Sequence, residues 1–382
     1  MRIAFFHNLP SGGGKRSAHE WIKRMTQKHS VDLYLYDPAA EDFLDLKPLV
    51  NRTVLVPGIT KSYGGIGVFL ARHQARVSSR EVARRINTGD YDLAFIMQCG
   101  ITNSPYVLRH LRIPSLYFCH EPLAKILEPH FRANDGRLGF LKVAFLKGMV
   151  RTDRANARHA TLICANSLFS RETIYLNYGI YPRLNYLGVD TAHFQPLNLR
   201  RKRVILSVGS LTAIKGQDFI IESVATLKDP PQIDFIYNSG SEDYKSKLSD
   251  LAKHLNIPVS FDCLPSQDDL VMAYNQAAVT AFPSRLEPLG LVPLESQACE
   301  TPLVGVAEGG IRETVKHGET GLLTERDPVE FGRALEMLLK DEALRRRMGV
   351  AGRREVSENW TWERSYAQLE KNMERVFTRV NR

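Results

Sequence analysis

Residues 283–313 read PSRLEPLGLVPLESQACETPLVGVAEGGIRE, and the interpretation of the whole sequence starts from this stretch. It follows the apolar run 278–282, turns at Pro288 and Gly290, and has helical character to about Cys299. A buried strand, a glycine-containing turn and a helix in succession are typical of a parallel sheet covered by helices.

Two glutamates flank the start of this predicted helix. Glu287 lies just before it and Glu295 lies inside it, eight residues later, which is about 12 Å along a helix. Between them the backbone amides of Leu289, Gly290 and Leu291 lack helical acceptors and form a ready site for phosphate. One carboxylate can hold sugar hydroxyls and the other ribose hydroxyls. The pattern therefore favours a nucleotide sugar over two solvated glutamates on an ordinary helix.

The rest of the chain alternates short apolar runs with helix-length segments. Residues 2–7 and 204–208 each begin such an alternation and lead into a glycine-containing loop. Further strands are predicted at residues 31–36, 93–97, 115–119, 161–165, 233–237, 259–261, 278–282 and 302–306. The alternation indicates two doubly wound, parallel α/β sheets, with the polar stretch 193–203 as the linker and hinge.

Ligands of open α/β sheets bind beyond the carboxyl ends of the strands, and we expect the two sheets to face each other across a cleft. His120 directly follows the predicted strand 115–119, and Pro122 disfavours any continuation of that strand. A lone histidine is more often structural, but this position places His120 in a loop where ligands are expected.

A glycine run follows the first strand. Gly12, Gly13 and Gly14 could cradle a phosphate with their amides or simply permit a tight turn. Lys15 and Arg16 add positive charge next to this loop.

The composition is that of an ordinary folded protein. The chain has 382 residues, 43% hydrophobic and 24% charged, which excludes disordered and collagen-like classes and suggests two domains. Apolar runs stay well short of the roughly 20 residues of a membrane-spanning helix, and Met1 leads into a strand-like run rather than a signal peptide. We therefore expect a cytoplasmic protein. The five widely spaced cysteines include no C-x-x-C pair, which argues against disulfides and structural zinc.

The net charge of +9 is concentrated in the first half. Residues 1–198 hold 26 Lys and Arg and 15 Asp and Glu, whereas the remainder holds 25 and 27. The basic segments 61–85 and 138–158 suit either an anionic membrane surface, such as the inner face of the plasma membrane, or a solvated basic helix face. Nucleic acid is not expected as a partner, because no recognition motif accompanies the charge.

The sequence resembles the retaining glycosyltransferases of the GT-B fold, family 4. The residues that match the family signature are, in order, Glu287, Pro288, Gly290, Glu295, Thr301, Pro302, Gly309 and Gly310. The resemblance extends to the loop from Gly209 to Gly216, to Gly188-Val189-Asp190 and to the glycine run after the first strand. It implies two Rossmann-like domains facing a cleft, near residues 1–196 and 197–361, and a last helix at about 362–382 that crosses back to the first domain.

The resemblance also implies a reaction and its residues. A UDP-, GDP- or ADP-sugar would bind the second domain, a glycan or lipid-linked acceptor would bind the first, and the sugar would be transferred by front-face attack with retention. Lys215 would stabilise the leaving diphosphate, Glu287 would hold the sugar, and His120 would contact the transferred sugar. The residues assigned to donor binding are Gly12, Gly13, Gly14, Gly209, Ser210, Lys215, Glu287, Leu289, Gly290, Leu291 and Glu295. No metal or other cofactor is expected.

Three further points qualify this expectation. Ser210 stands where the family usually has an arginine, Glu300 stands where it commonly has a glycine, and Arg285 could either replace the missing cation or point to solvent. The segment Phe118-Cys119-His120 is similar to some mannosyltransferases that act on lipid-linked acceptors, which favours GDP-mannose. Asp90 and Asp92 match the D-x-D motif of another glycosyltransferase fold, but they precede a strand and are expected to be turn residues.

Two rival functions remain at this stage. A nucleotide-sugar epimerase or hydrolase would consume the donor without an acceptor, and a silent carbohydrate- or lipid-binding protein would release no nucleotide at all.

Overall fold

The structure is a computed structural model of the chain, and it describes residues 1–36, 41, 43–56, 65–127, 140–263 and 266–380. The chain divides into two compact units. Unit 1 comprises Met1–Tyr186 and Ser365–Arg382, and unit 2 comprises Leu187–Arg364. Each unit contains one parallel sheet with helices, which confirms the predicted α/β class with two doubly wound sheets.

Unit 1 has a seven-stranded sheet in the order β3-β2-β1-β4-β5-β6-β7. Its strands are β1 (Arg2–Asn8), β2 (Ser30–Leu35), β3 (Arg52–Leu55), β4 (Leu93–Cys99), β5 (Ser115–Cys119), β6 (Leu162–Ala165) and β7 (Arg183–Leu184). Its helices are α1 (Gly13–Met25), α2 (Gly65–Thr88), α3 (Phe140–Ala157) and α4 (Leu168–Tyr178).

Unit 2 has a six-stranded sheet in the order β10-β9-β8-β11-β12-β13. Its strands are β8 (Val204–Val208), β9 (Gln232–Tyr237), β10 (Val259–Cys263), β11 (Val279–Phe282), β12 (Leu303–Val306) and β13 (Gly321–Thr324). Its helices are α5 (Gln217–Val224), α6 (Glu242–His254), α7 (Gln267–Gln276), α8 (Leu291–Ala298), α9 (Ile311–Thr314), α10 (Pro328–Lys340) and α11 (Glu342–Asn359).

The last helix, α12 (Trp362–Val380), belongs to unit 1 from Ser365 onwards. The indole Nε1 of Trp21 donates to Oγ of Ser365 at 3.0 Å, and Nδ2 of Asn372 donates to the carbonyl of Leu184 at 3.2 Å. Trp21 itself is fully buried. These bonds fix the helix on the α1 side of the unit 1 core by buried polar contacts as well as by apolar packing.

The boundary between the units falls about ten residues before the predicted one. Val189 forms a β-bridge with Thr361, and the Arg353 guanidinium donates to the carbonyls of Phe194 at 2.7 Å and Thr191 at 2.9 Å. Residues 187–196 therefore belong to unit 2, because their backbone groups are paired there. The sequence alone did not reveal these bonds, since they join positions far apart in the chain.

All of the predicted strands are present, and the structure contains three that were not predicted, β3, β7 and β13. These are short and give little periodic signal. None of the helices in the described ranges is long and apolar enough to cross a membrane. Four of the five cysteines are buried, and Cys263 is exposed.

Glu300 has left-handed backbone geometry, with a φ of 55°. It lies just after α8, where its amide donates to Gln297 O at 3.0 Å and the amide of Thr301 donates to Ser296 O at 2.9 Å. This pair of bonds is the Schellman motif, whose left-handed position is usually glycine because a Cβ is strained there. The departure at Glu300 therefore costs stability at the end of the helix that carries Glu295.

We predict that Glu300→Gly raises the free energy of unfolding by about 0.5–1 kcal/mol. Relief of the left-handed strain outweighs the extra entropy that glycine gives the unfolded chain. Urea denaturation measures the difference. Glu300→Ala is the matched control, because it removes the same carboxylate but keeps the Cβ, and it should bring no gain. An equal gain from both variants would show that the side chain rather than the backbone is strained.

Candidate functional site

The sheet of unit 2 reverses its strand order between β8 and β11, which are neighbours in the sheet although β9 and β10 lie between them in the chain. Loops that follow two adjacent parallel strands at such a switch point leave a crevice at the carboxyl edge of the sheet. The loop after β8 carries Lys215, and the loop after β11 carries Glu287. The fold therefore brings together two of the residues that the sequence assigned to the site.

Lys215 and Glu287 form an ion pair. The Lys215 Nζ donates to Glu287 Oε2 at 2.6 Å, and Ser284 Oγ donates to the same oxygen at 2.7 Å. The Lys215 and Glu287 side chains are 25% and 20% exposed, so both groups are held in place and remain reachable from solvent. The stem of Lys215 lies over Gly209, where a Cβ would be 3.6 Å from its Cδ. Because Gly209 has no side chain, the Lys215 side chain can lie across it.

The turn that carries Lys215 rests on the loop after β11. The amide of Arg285 donates to the carbonyl of Ile214 at 2.8 Å, and a Cβ on Gly216 would lie 3.1 Å from Pro283. Gly216 ends the turn with a φ of 71°. The loops after β8 and β11 therefore contact each other, and the position of Lys215 depends on the loop that carries Glu287.

The backbone of Gly309 and Gly310 packs closely against the backbone of the Glu287 loop. The Gly310 amide donates to the carbonyl of Glu287 at 2.8 Å. A Cβ on Gly310 would lie 2.2 Å from the carbonyl oxygen of Pro288, and a Cβ on Gly309 would lie 2.5 Å from that of Glu287. The glycines of the family signature are therefore needed because two backbones approach closely here.

Helix α8 begins at this loop without a capping side chain. Gly290 is its N-cap, with a φ of 85°, and no acidic residue lies in its first turn. In contrast, side chains cap α6, α7, α10 and α11, through Ser241, Ser266, Asp327 and Asp341. Within the described residues, no protein acceptor takes a hydrogen bond from the amides of Leu289, Gly290 or Leu291. The start of α8 thus presents free donors and the positive end of a helix dipole.

The two glutamates of the motif have different environments. Glu295 is 5% exposed, and its Oε2 accepts a hydrogen bond from the hydroxyl of Tyr274 at 3.1 Å. Glu287 is far more accessible. A buried carboxylate needs such hydrogen bonds to offset the loss of water.

Ser210 and Arg285 do not form a second cationic contact beside Lys215. The carbonyl of Ser210 accepts from Gln217 Nε2 at 2.9 Å, and its side chain is neutral. The charges that act on the Arg285 guanidinium are those of Arg326, Glu308 and Asp218, and burial followed by the like charge of Arg326 lowers its pKa. The structure therefore places Arg285 in a different charge cluster.

Neither this charge cluster around Arg326 nor Ser284 was predicted from the sequence. The Arg326 guanidinium binds Glu308 at 2.7 and 2.8 Å and donates to the carbonyl of Pro283 at 2.9 Å. It thereby connects the loops after β11, β12 and β13. Arg326 follows the short strand β13, which the apolar pattern did not reveal, and so its place at this edge could not be inferred.

In unit 1 the glycine loop also lies at a switch point, between β1 and β4. Gly12 caps α1 with a φ of 136° and without a side-chain bond, and no acidic residue lies in the first turn. The amides of Gly13 and Gly14 therefore begin a helix that, like α8, carries no side-chain cap.

Lys15 does not add accessible charge to this loop. It is fully buried, and its Nζ forms an ion pair with Oε1 of Glu41, which also lies 2.9 Å from Nε2 of the buried His7. Burial lowers the pKa of both His7 and Lys15. Burial alone would raise the pKa of Glu41, but hydrogen bonds from His7, Lys15 and the Leu46 amide outweigh it and hold that pKa at about 2. The pair fixes α1 to the chain near Glu41.

His120 lies directly after β5, as predicted. Its backbone amide donates to Gln98 Oε1 at 3.2 Å, and its carbonyl accepts from Ser170 Oγ at 2.8 Å. Burial lowers the pKa of the imidazole to about 4, so the ring is neutral at neutral pH. The next residue, Glu121, is held by two hydrogen bonds, because Gln98 and Asn103 both donate to its carbonyl.

Asp90 and Asp92 both accept hydrogen bonds from Arg2. Asp92 accepts from the Arg2 amide at 2.7 Å and Asp90 accepts from its guanidinium at 3.1 Å, at the start of β4. Both are therefore turn residues at the strand's amino end, as predicted. No group of three or more His, Cys, Asp and Glu in the described residues could hold a metal ion.

The basic segments contribute two helices, although residues 61–64 and 138–139 lie outside the described residues. In α2, Arg72 is buried and donates to the carbonyl of Ile101 at 2.9 Å, whereas Arg84 and Arg85 both pair with Glu81. Arg72 therefore does not belong to the exposed basic surface of α2. In α3 the exposed cations are Lys142, Lys147, Arg151 and Arg154.

Comparison with known proteins identifies the family that unit 2 resembles. The model for glycosyl transferases group 1 matches residues 189–355, which lie in unit 2 and include the whole Lys215 and Glu287 site. Unit 2 is therefore similar to the group 1 glycosyltransferases. This confirms the resemblance found in the sequence.

Two curated relatives are about one-third identical to the chain over roughly half of its length. The D-inositol 3-phosphate glycosyltransferase of Salinispora arenicola is 34% identical over 210 residues, covering 48% of this chain and 47% of the relative. The GDP-mannose-dependent monoacylated alpha-(1-6)-phosphatidylinositol monomannoside mannosyltransferase of Corynebacterium glutamicum is 32% identical over 212 residues, covering 49% and 55%. The chain thus spans about half the length of the curated relatives it matches.

Solved structures share the fold over nearly the full chain. Sucrose-phosphate synthase from Thermosynechococcus elongatus has a TM-score of 0.80 at 21% identity and 99% coverage of both chains. Anabaena HepE, in complex with UDP-glucose, has a TM-score of 0.76 at 18% identity, covering 98% of this chain and 99% of its own. These neighbours confirm the GT-B fold.

We predict that Gly310→Ala displaces the Glu287 loop, since the new Cβ would overlap the backbone of Pro288. We expect a loss of about 1–3 kcal/mol in the free energy of unfolding and at least tenfold weaker binding of UDP or GDP, measured by calorimetry. Gly148→Ala is the control, because a Cβ there meets no atom within 4 Å. Unchanged nucleotide affinity in Gly310→Ala would contradict this role of the glycine.

Proposed function

We propose that the chain is a retaining transferase that moves a hexosyl group from a nucleoside diphosphate sugar to a hydroxyl group of a glycan or lipid-linked acceptor. One observation carries the proposal: an accessible lysine and an accessible glutamate are held together beside the uncapped start of α8. A cation, free amides and a carboxylate are the groups that a diphosphate and a sugar require.

In the proposed reaction the bond between the anomeric carbon and the phosphate oxygen breaks, and the acceptor oxygen bonds to the same carbon on the same face. The acceptor proton passes to the departing phosphate oxygen. Lys215 and the α8 amides stabilise the negative charge that develops on the diphosphate, and Glu287 accepts hydrogen bonds from the sugar hydroxyls. Because these groups are already in position, little reorganisation is needed in the transition state.

The other assigned residues receive roles by the same reasoning. Glu295 holds the ribose hydroxyls, Gly209 and Ser210 line the phosphate loop, and the amides of Gly12–Gly14 contact the donor or the acceptor. His120, which is neutral, contacts the transferred sugar without acting as a base.

The relatives support a choice of substrates. The Corynebacterium glutamicum relative is named for GDP-mannose and a phosphatidylinositol mannoside, and the Salinispora arenicola relative for inositol 3-phosphate. We therefore propose GDP-mannose as the first donor to test and a lipid-linked acceptor as the first acceptor class. UDP-glucose is the second donor, because HepE was solved in complex with it.

We predict that Lys215→Ala and Glu287→Ala each lower turnover at least a hundredfold, since removal of one preorganised group at a developing charge costs roughly 2.7–4 kcal/mol. Lys340→Ala is the control, because the exposed Lys340 side chain lies at the end of α10 and pairs with Glu336 on the surface. Turnover is measured by release of GDP or UDP. Near-normal turnover of both site variants would reject the assignment.

Release of nucleotide with and without an acceptor separates the proposal from its two rivals. Transfer predicts release that depends on the acceptor. Release without acceptor would support an epimerase or hydrolase, and binding of the nucleotide without any release would support the silent protein.

We also propose that unit 1 binds an anionic membrane surface through α2. Its exposed face combines Phe69, Leu70 and Val77, which are 62%, 51% and 54% exposed, with the exposed Arg76 and Arg80. Apolar side chains flanked by cations on one helix face suit the interface of an anionic bilayer. Peripheral attachment would bring the enzyme to a lipid-linked acceptor.

We predict that the chain sediments with vesicles containing phosphatidylglycerol and not with pure phosphatidylcholine. The double variant Arg76→Ala/Arg80→Ala should bind about thirtyfold more weakly, at about 1 kcal/mol per cation. Arg346→Ala/Arg347→Ala removes two exposed arginines from α11 of unit 2 and serves as the control. Equal losses in both double variants would mean that net charge alone, and not this face, drives binding.

A further inference from the structure

Two polar side chains, the half-buried His120 and the buried Asn166, meet where β5 ends and α4 begins. Nδ2 of Asn166 lies 3.2 Å from Nδ1 of His120. The remaining polar atoms of the pair, Nε2 of His120 and Oδ1 of Asn166, have no accessible surface and no hydrogen-bond partner in the described part of the chain. Asn166 is 3% exposed. Buried polar atoms are nearly always paired, so two orphans in one contact point to a ligand.

The surroundings of the imidazole are neutral and fixed. Gly14 faces it from α1, where a Cβ would lie 3.4 Å from Nε2, and Leu9 lies beside the same glycine. Phe118 packs against the ring from β5 with the ring centres 5.0 Å apart. None of these groups titrates. Burial is the single cause that lowers the pKa of His120, to about 4, and no charged group contributes.

The hydrogen bond between the two side chains determines the tautomer. An amide nitrogen only donates, so Nδ1 of His120 accepts with its lone pair and the ring proton is on Nε2. The orphan Nε2 is then a donor, and the orphan Oδ1 of Asn166 is an acceptor. Together they form a complementary pair.

We propose that Asn166 is a positioning residue that fixes His120 as the Nε2–H tautomer, and that the pair binds a sugar by donating to one hydroxyl oxygen and accepting from another hydroxyl group. The class of ligand rests on the proposed function, whereas the tautomer does not. A Cβ at Gly14 would lie 3.4 Å from Nε2, so only glycine at this position leaves that part of the ring without a side chain against it.

Asn166→Asp tests the proposal because it reverses the polarity of the contact. A carboxylate can only accept, so the neutral ring must move its proton to Nδ1 and expose a bare Nε2. Nitrogen-15 NMR of the two ring nitrogens distinguishes the tautomers at pH 7.5. We expect Nε2–H in the unmodified chain and Nδ1–H in Asn166→Asp, and Asn87→Asp, at a partly buried site near His110, leaves the spectrum of His120 unchanged.

The dependence of kcat/KM on pH gives a second readout. In the unmodified chain the neutral ring already donates from Nε2, so its titration causes no change between pH 5.5 and 8.5. In Asn166→Asp only the protonated ring has a hydrogen on Nε2, and the new carboxylate raises the ring's pKa. Activity of that variant should therefore fall by about tenfold or more as the pH rises through this pKa.

Nδ1–H in the unmodified chain, or the same tautomer in both proteins, overturns the proposal even if no substrate is found. If transfer occurs but Asn166→Asp lowers kcat/KM equally at all pH values, the side chain has only a packing role and the proposal is likewise wrong. If the NMR result is as expected and no donor is turned over, the positioning role stands and the proposed function fails.

Discussion

The ion pair between Lys215 and Glu287 is the interaction on which the site in unit 2 depends. It joins the loops that follow two neighbouring strands, and the backbones of the two loops also contact each other. The position of the Lys215 side chain and that of the Glu287 side chain therefore depend on each other. In the absence of a ligand each charge neutralises its partner. An arriving diphosphate offers the lysine a stronger partner and frees the carboxylate to accept sugar hydroxyls, so the pair is suited to recognise both parts of a donor.

Glycines and helix starts without a side-chain cap recur where a phosphate group is proposed to bind. Helices α1, α5 and α8 begin at Gly12, Gly216 and Gly290 without a capping side chain, and all three follow strands at a switch point of their sheet. In unit 2 the helices α6, α7, α10 and α11 have Ser or Asp caps, whereas the short helix α9 begins at Gly310 without one. A side-chain cap would occupy the amides that a phosphate needs, so the missing caps at these three helices suit the proposed function.

The sheets were predicted because strand periodicity is a local pattern, and Glu287 and Glu295 were predicted from their spacing at a helix start. Lys215 was assigned only through the resemblance to the family, because the strand order that brings its loop beside that of Glu287 is not a local pattern. Ser284, Arg326 and Asn166 were not predicted, because their roles depend on partners distant in the chain. Lys15 was expected to add charge near the glycine loop, but its partner Glu41 lies 26 residues away and removes that charge from solvent.

The central claim is that the diphosphate of an activated sugar binds at the start of α8 beside Lys215. A crystal structure of the chain with GDP or UDP, whichever raises its melting temperature, tests this directly. The account predicts phosphate oxygens within 3.2 Å of the amide nitrogens of Gly290 or Leu291 and of Lys215 Nζ, at ordinary hydrogen-bond distance. A nucleotide bound elsewhere, with the Lys215–Glu287 pair intact and the α8 amides unoccupied, would contradict it.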